Sequence, residues 1–283
     1  MSRLIINADD FGLTAGVNRA ILELHTAGVL TSTTLMARAG ATDEAVTRAR
    51  ATGSLGVGCH IVLVDGEPVL PPSAIPTLVD RKTGRFGNSI GRFLARLLTG
   101  RISAEEIEAE AAAQIGALQA KGLALTHIDT HKHTHMFPPV LRPVLRAARK
   151  AGIGAVRNPF EPAWAVRATA GAPLARVAEV NALRKLQDAC RRIIAEEGFS
   201  TTDGTIAVVG TGVLNAETLR ALLRQLPEGT WELVTHPGYN DADLDKVRTR
   251  LRASREIEMQ ALQAVKEFPG IELISYGQLV AGG

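Results

Sequence analysis

Residues 126–139 read THIDTHKHTHMFPP and hold four of the seven histidines in the 283-residue chain. His127, Asp129, His131, His133 and His135 fall on alternate positions, and alternate residues of a strand share a face. An extended run would therefore stack four imidazoles and a carboxylate on one side. Leu125 and Ile128 open the stretch as a strand, and Pro138-Pro139 end it. A single buried histidine is usually satisfied by ordinary hydrogen bonds. A cluster on a common face beside an aspartate points instead to metal or acid–base chemistry. The spacing alone does not select which imidazoles would share an ion.

Outward from this stretch, strand and helix signals alternate. Arg3 to Ala8 is an apolar run ending at Asp9-Asp10, a buried strand. Thr14 is placed to cap a helix over Ala15–Thr26, with Gly28 closing it. Thr31–Met36 and Leu55–Leu63 read as strands around a helix over Ala41–Ala51. Val64–Arg85 holds Pro68, Pro71, Pro72 and Pro76 without a clear period and reads as a long loop, a feature often tied to function. Ser103-x-x-Glu106 is a capping box opening a helix to about Lys121. Strand Leu125–Thr130 follows, then a helix over Pro139–Ala151 and a short strand over Ala155–Asn158. Helices over Leu174–Glu197, Ala216–Gln225 and Val247–Glu267 alternate with strands Ile206–Val209, Trp231–Thr235 and Ile271–Ser275. Repeated βα alternation implies a parallel sheet with helices outside, either an open doubly wound sheet or a closed barrel. Both bind ligands at the carboxyl ends of the strands.

The chemically able residues obey that rule. Asp9 and Asp10 end the first strand, His60 lies late in the third, His131 follows the Leu125 strand and His236 follows the Trp231 strand. Adjacent carboxylates at a half-buried rim repel and need a cation or a shared proton. One carboxylate and two imidazoles around a metal leave a position for water, the pattern of a hydrolytic site. The second carboxylate can then act as base. His236, presented by the Pro237-Gly238 turn, reads either as a general acid or as a plain turn residue. Arg157 reads as an orienting group for a carboxylate, a substrate contact or a surface charge. Trp164 and Tyr239 offer faces to a sugar, or simply pack. Gly210-Thr211-Gly212 is too short for a phosphate loop, and the absence of Gly-x-Ser-x-Gly removes support for a serine hydrolase.

Composition narrows the rest. A net charge of +3 with both signs interspersed gives no case for nucleic acid. Two cysteines, Cys59 and Cys190, form no framework, and a reducing, cytoplasmic setting is expected. No signal peptide or transmembrane segment is expected, although peripheral membrane contact remains compatible. A length of 283 residues suits one barrel domain over 1–283.

Asn7-Ala-Asp-Asp-Phe-Gly12, Gly58-x-His60, the His127–His135 run and His236-Pro237 together resemble the YdjC-like carbohydrate deacetylases, from Leu4 to about Ser275. The loop Val62–Phe86, with Asp65-Gly-Glu-Pro68 and Leu70-Pro-Pro72, is more similar to the branch associated with hopanoid biosynthesis than to the chitooligosaccharide branch. The resemblance implies a distorted (β/α) barrel of seven or eight parallel strands, often dimeric, that removes an N-acetyl group from an amino sugar. Asp10, His60 and His131 match the ligands of a divalent metal, Zn²⁺ or Mg²⁺. Two imidazoles favour a transition ion. Asp9 matches the base and His236 the acid. His133, His135, Arg157 and Tyr239 are candidate substrate contacts, and the substrate is an N-acetylated amino sugar or glycolipid. Two other readings stand beside this one. A different metal-assisted hydrolysis, such as that of a phosphoester, lacks a phosphate cradle. A non-catalytic sugar- or lipid-binding barrel would have no need of Asp9.

Overall fold

The structure, a computed structural model, describes residues 1–281. Among the described residues, seven strands make one parallel sheet: β1 (Ser2–Phe11), β2 (Ser32–Leu35), β3 (Gly56–Ile61), β4 (Ile128–Thr130), β5 (Gly204–Ile206), β6 (Gly229–Thr235) and β7 (Glu272–Leu273). Their order is β4-β3-β2-β1-β6-β5, with β7 also beside β1. Residues 154–160 close the gap between the two ends. Arg157 N donates to Ile128 O at 3.1 Å, Val156 N to Ser200 O at 3.0 Å and Thr205 N to Phe160 O at 3.2 Å. The result is the distorted (β/α) barrel that the βα alternation allows. The expected strand over Ala155–Asn158 is present only as isolated bridges from Ala155 and Val156.

The helices are α1 (Ala15–Thr26), α2 (Thr42–Ala51), α3 (Ile90–Leu98), α4 (Ala104–Gln119), α5 (Pro138–Lys150), α6 (Ala163–Ala168), α7 (Leu174–Leu183), α8 (Gln187–Glu196), α9 (Ala216–Arg224), α10 (Ala242–Asp245), α11 (Ala253–Ala261) and α12 (Tyr276–Ala281). β1 is central and covered on both faces, which is why Leu4-Ile5-Ile6 is an unbroken apolar run. Gly12, at φ 91°, turns the chain out of β1. Thr14 then caps α1 by accepting from Val17 N at 3.2 Å, an interaction worth about 1 kcal/mol. Val17, Ile21 and Leu24 of α1 enter the core.

The helices differ from the sequence-based expectation in three places. The Leu174–Glu197 helix divides at a 3-10 turn over Arg184–Leu186. α7 buries only Val180, so little packing holds a straight continuation. The Val247–Glu267 helix begins only at Ala253. α3 was not expected; it is capped by Ser89 and buries only Phe93 and Leu97, a short amphipathic signal. The long loop after β3 is tied down by α4. Glu110 accepts from Val69 N and Leu70 N, and Gln114 accepts from Val62 N. Glu106 bonds Thr77 rather than reaching back to Ser103, so only half of the expected capping box forms.

Candidate metal centre and its surroundings

Adjacent residues of a regular strand point to opposite faces, yet Asp9 and Asp10 both face His60. The β1–β2 register breaks between Ala8 and Phe11, and Asp10 adopts φ 66°. A non-glycine residue there is strained. That kink brings the two carboxylates to one rim.

The His-rich stretch departs from its expected geometry. The strand ends at Thr130, and His131–Met136 forms a 3-10 turn. Lys132 and His133 have φ of 56° and 50°, in the left-handed region. The alternation therefore does not stack all five groups. Only His131 is carried to Asp10 and His60. His127 lies beneath, its pKa pushed down to about 3 by burial, and stacks on Tyr276 with ring centroids 3.9 Å apart. It also explains Gly58: a Cβ there would lie 2.6 Å from the His127 ring.

Asp10 Oδ1, His60 Nε2 and His131 Nδ1 form a triangle with sides of 3.6, 3.5 and 3.2 Å. Ligand atoms about 2.1 Å from a tetrahedral ion are about 3.4 Å apart. The three atoms are thus spaced as ligands of one divalent ion would be. His60 Nδ1 lies 2.7 Å from Asp129 Oδ1, the carboxylate–histidine pairing that fixes the orientation of a metal-binding ring. Burial alone would lower the His60 pKa, but the Asp129 carboxylate overrides it and raises the pKa to about 9. Arg255 Nη2 donates to Asp10 Oδ2 at 2.6 Å, leaving Oδ1 for the triangle. Asp9, His60 and Asp129 form a second convergent group. Arg157 already bonds both carboxylates of that group, and a guanidinium there disfavours a further cation.

Asp9 is held as a bidentate partner of Arg157, with Nη1–Oδ2 at 2.8 Å and Nη2–Oδ1 at 2.6 Å. Asn7 Nδ2 also donates to Oδ1 at 3.1 Å. Burial would raise the Asp9 pKa, but Arg157 reverses that and holds it well below the usual carboxylate range. Oδ2 faces His236 Nε2 at 3.9 Å. On the other side of His236, Nδ1 is 3.8 Å from Glu258 Oε2, and that same oxygen accepts from His236 N at 2.7 Å. Burial acts to lower the His236 pKa; the Glu258 carboxylate outweighs it, and the net shift is upward.

Among the expected substrate contacts, Arg157 is corrected. It is fully buried and binds Asp9, Asp129 and Glu232, so it orients carboxylates and does not reach solvent. His135 is likewise fully buried, with Nδ1 2.7 Å from Thr130 Oγ1, and cannot meet a ligand at the surface. Tyr239 turns toward α1, with its hydroxyl on Glu23 and its ring under Arg19. His133 keeps an accessible edge, and its buried Nδ1 has no hydrogen-bond partner among the described residues. Arg255 and Glu258 were not anticipated. They lie three residues apart on α11, about one helical turn, and nothing in the sequence distinguishes such a pair from surface charges.

The fold and the rim cluster define an α/β-barrel protein with an Asp–His group able to hold a metal. The chain belongs to the YdjC-like protein family, whose profile matches residues 3–267. A protein of Thermoanaerobacter pseudethanolicus named carbohydrate deacetylase is 29% identical over 262 residues, covering 93% of this chain and 91% of that one. One from Brevibacillus brevis with the same name is 44% identical over 128 residues, 45% of this chain and 48% of its own, so that match spans about half its length. Among solved structures, a candidate cellobiose-phosphate cleavage protein from Enterococcus faecalis aligns with a TM-score of 0.76 at 28% identity, covering 98% of each chain. A lactam utilization protein from Thermus thermophilus shares the fold, with a TM-score of 0.53 at 17% identity, covering 96% of this chain and 99% of that one.

Proposed function

We propose that this protein is a metal-dependent carbohydrate deacetylase that hydrolyses the N-acetyl group of an amino sugar. The observation that carries the reading is the pairing of Asp9 Oδ2 and His236 Nε2, 3.9 Å apart, beside the Asp10–His60–His131 triangle. The relatives named carbohydrate deacetylase support the substrate class. Asp10, His60 and His131 would hold the ion, which when bound supplies Lewis-acid polarisation of the acyl oxygen and of a water.

The protein's own groups then divide the proton work. Asp9 Oδ1 accepts from Asn7 and Arg157, whereas Oδ2 accepts from Arg157 alone and keeps a free direction toward His236. Oδ2 is thus the atom that takes a proton as water adds to the acyl carbon. The low pKa keeps Asp9 ionised throughout the working range. His236, with its raised pKa, carries the proton that the departing nitrogen needs. The C–N bond breaks, and acetate and a free amine leave.

The preferred acceptor is an acetylated amino sugar on a hopanoid-type glycolipid, a choice supported by the resemblance of the 62–86 loop. A chitooligosaccharide is the alternative. The test is acetate release from both substrates side by side with metal-loaded protein. Release from the glycolipid alone supports the preferred acceptor, and release from the oligosaccharide alone replaces it. Release from neither, with the metal bound, overturns the deacetylase reading for these substrates.

A further inference from the structure

We propose that Glu232 and Tyr276 are positioning residues that aim Arg157, and through it Asp9, at the reacting atoms. The proposal rests on the deacetylase reading above, because it concerns the base of that reaction.

A guanidinium turns as a rigid plate about its Cδ–Nε bond, so whatever holds its Nε edge decides where its two-nitrogen end points. Glu232 Oε1 takes that edge, 2.8 Å from Arg157 Nε and 2.7 Å from Nη2. The other end is thereby aimed as a fork at Asp9. Glu232 is fixed in turn through its second oxygen, which accepts from the Tyr276 hydroxyl at 2.6 Å and from Thr205 Oγ1 at 3.2 Å.

The chain of contacts then returns to its start. The Tyr276 ring stacks on His127 with an interplanar angle of 13°. His127 Nε2 lies 3.1 Å from Asn7 Oδ1, and Asn7 Nδ2 donates to Asp9 Oδ1. Asp9 is thus approached from two directions by one closed circuit. Asn7, His127, Arg157, Glu232 and Tyr276 all have no exposed surface, so none of the five touches substrate. Tyr276 also lies beyond residues 3–267, the part matched by the family profile. Burying so many polar and charged groups is tolerable only when each is bonded, and such a network specifies a single geometry.

The test is a double-mutant cycle on the metal-loaded protein. Tyr276→Phe removes one hydroxyl from a packed ring, and Glu232→Gln removes one charge at constant shape. Each is expected to lower kcat with KM and bound metal unchanged, by about ten- to a hundredfold for Glu232→Gln, the scale of a small misplacement of a reacting group. In an Asp9→Asn background neither should lower the residual rate further. Equal losses in both backgrounds would mean that the pair acts on stability or on another group, and would overturn the proposal. Crystal structures of the two variants give a reading that needs no turnover. An opened or rotated Arg157–Asp9 fork is expected, and an unchanged fork in both would overturn the proposal even if the wild-type protein deacetylates nothing.

Discussion

Asp9 and Asp10 are neighbours with different proposed roles, and the guanidinium beside each distinguishes them. Arg157 grips both oxygens of Asp9, while Arg255 takes one oxygen of Asp10 and leaves the other facing His60 and His131. Asp9→Asn should therefore retain metal and lose turnover by at least about a hundredfold, as expected for a general base. Metal analysis together with kcat checks both halves. The raised His236 pKa places the alkaline fall in activity above pH 6.5. Glu258 contributes most to that rise, with Asp9 and Asp10 adding to it, so Glu258→Gln should move that fall to lower pH; a pH profile shifted upward or unmoved would refute the assignment. His60, raised to about 9 without metal, is protonated at neutral pH and must release that proton to bind an ion through Nε2. Calorimetry in buffers of different ionisation heat should show about one proton released per ion near pH 7.5.

At the scale of elements, the strand ends were legible and the backbone details were not. Asp9, Asp10, His60, His131 and His236 could be assigned to one rim because each lies at or just past the carboxyl end of a segment that reads as a strand in a βα alternation, most plainly at Leu4-Ile5-Ile6 before Asp9-Asp10. Thr14 was recognisable as a cap from its place alone. The turn after Thr130 was not, because Lys132 and His133 are not residue types that signal left-handed backbone. An extended reading of 126–139 therefore overstated how many imidazoles meet. Arg157 looked available because its three carboxylate partners, Asp9, Asp129 and Glu232, come from distant parts of the chain. Gly58 illustrates a motif residue explained only by packing. Gly58→Ala should destabilise the protein by about 1–3 kcal/mol, as overpacking does, because its Cβ would meet His127 at 2.6 Å. Denaturant unfolding measures this directly, and an unaffected midpoint would mean that the ring can move aside.

The whole molecule is a barrel whose ends are joined by residues 154–160, and this closing segment also delivers Arg157 beneath the rim. The segment that closes the barrel thus also supplies the side chain that binds Asp9 and Asp129. Among the described residues no helix is long and apolar enough to cross a membrane. A bound ion that stabilises only the folded state raises the melting temperature in proportion to the logarithm of its concentration above Kd. Added Zn²⁺ should therefore raise Tm in wild-type protein and fail to do so in His60→Ala. The most direct measurement of the central claim is acetate release by metal-stripped protein titrated with Zn²⁺ on an N-acetylated amino-sugar substrate. The account predicts no release at the start, a rise that levels at one ion per chain, and no rise with His60→Ala. Full acetate release from the stripped protein, unchanged by added metal, would contradict it.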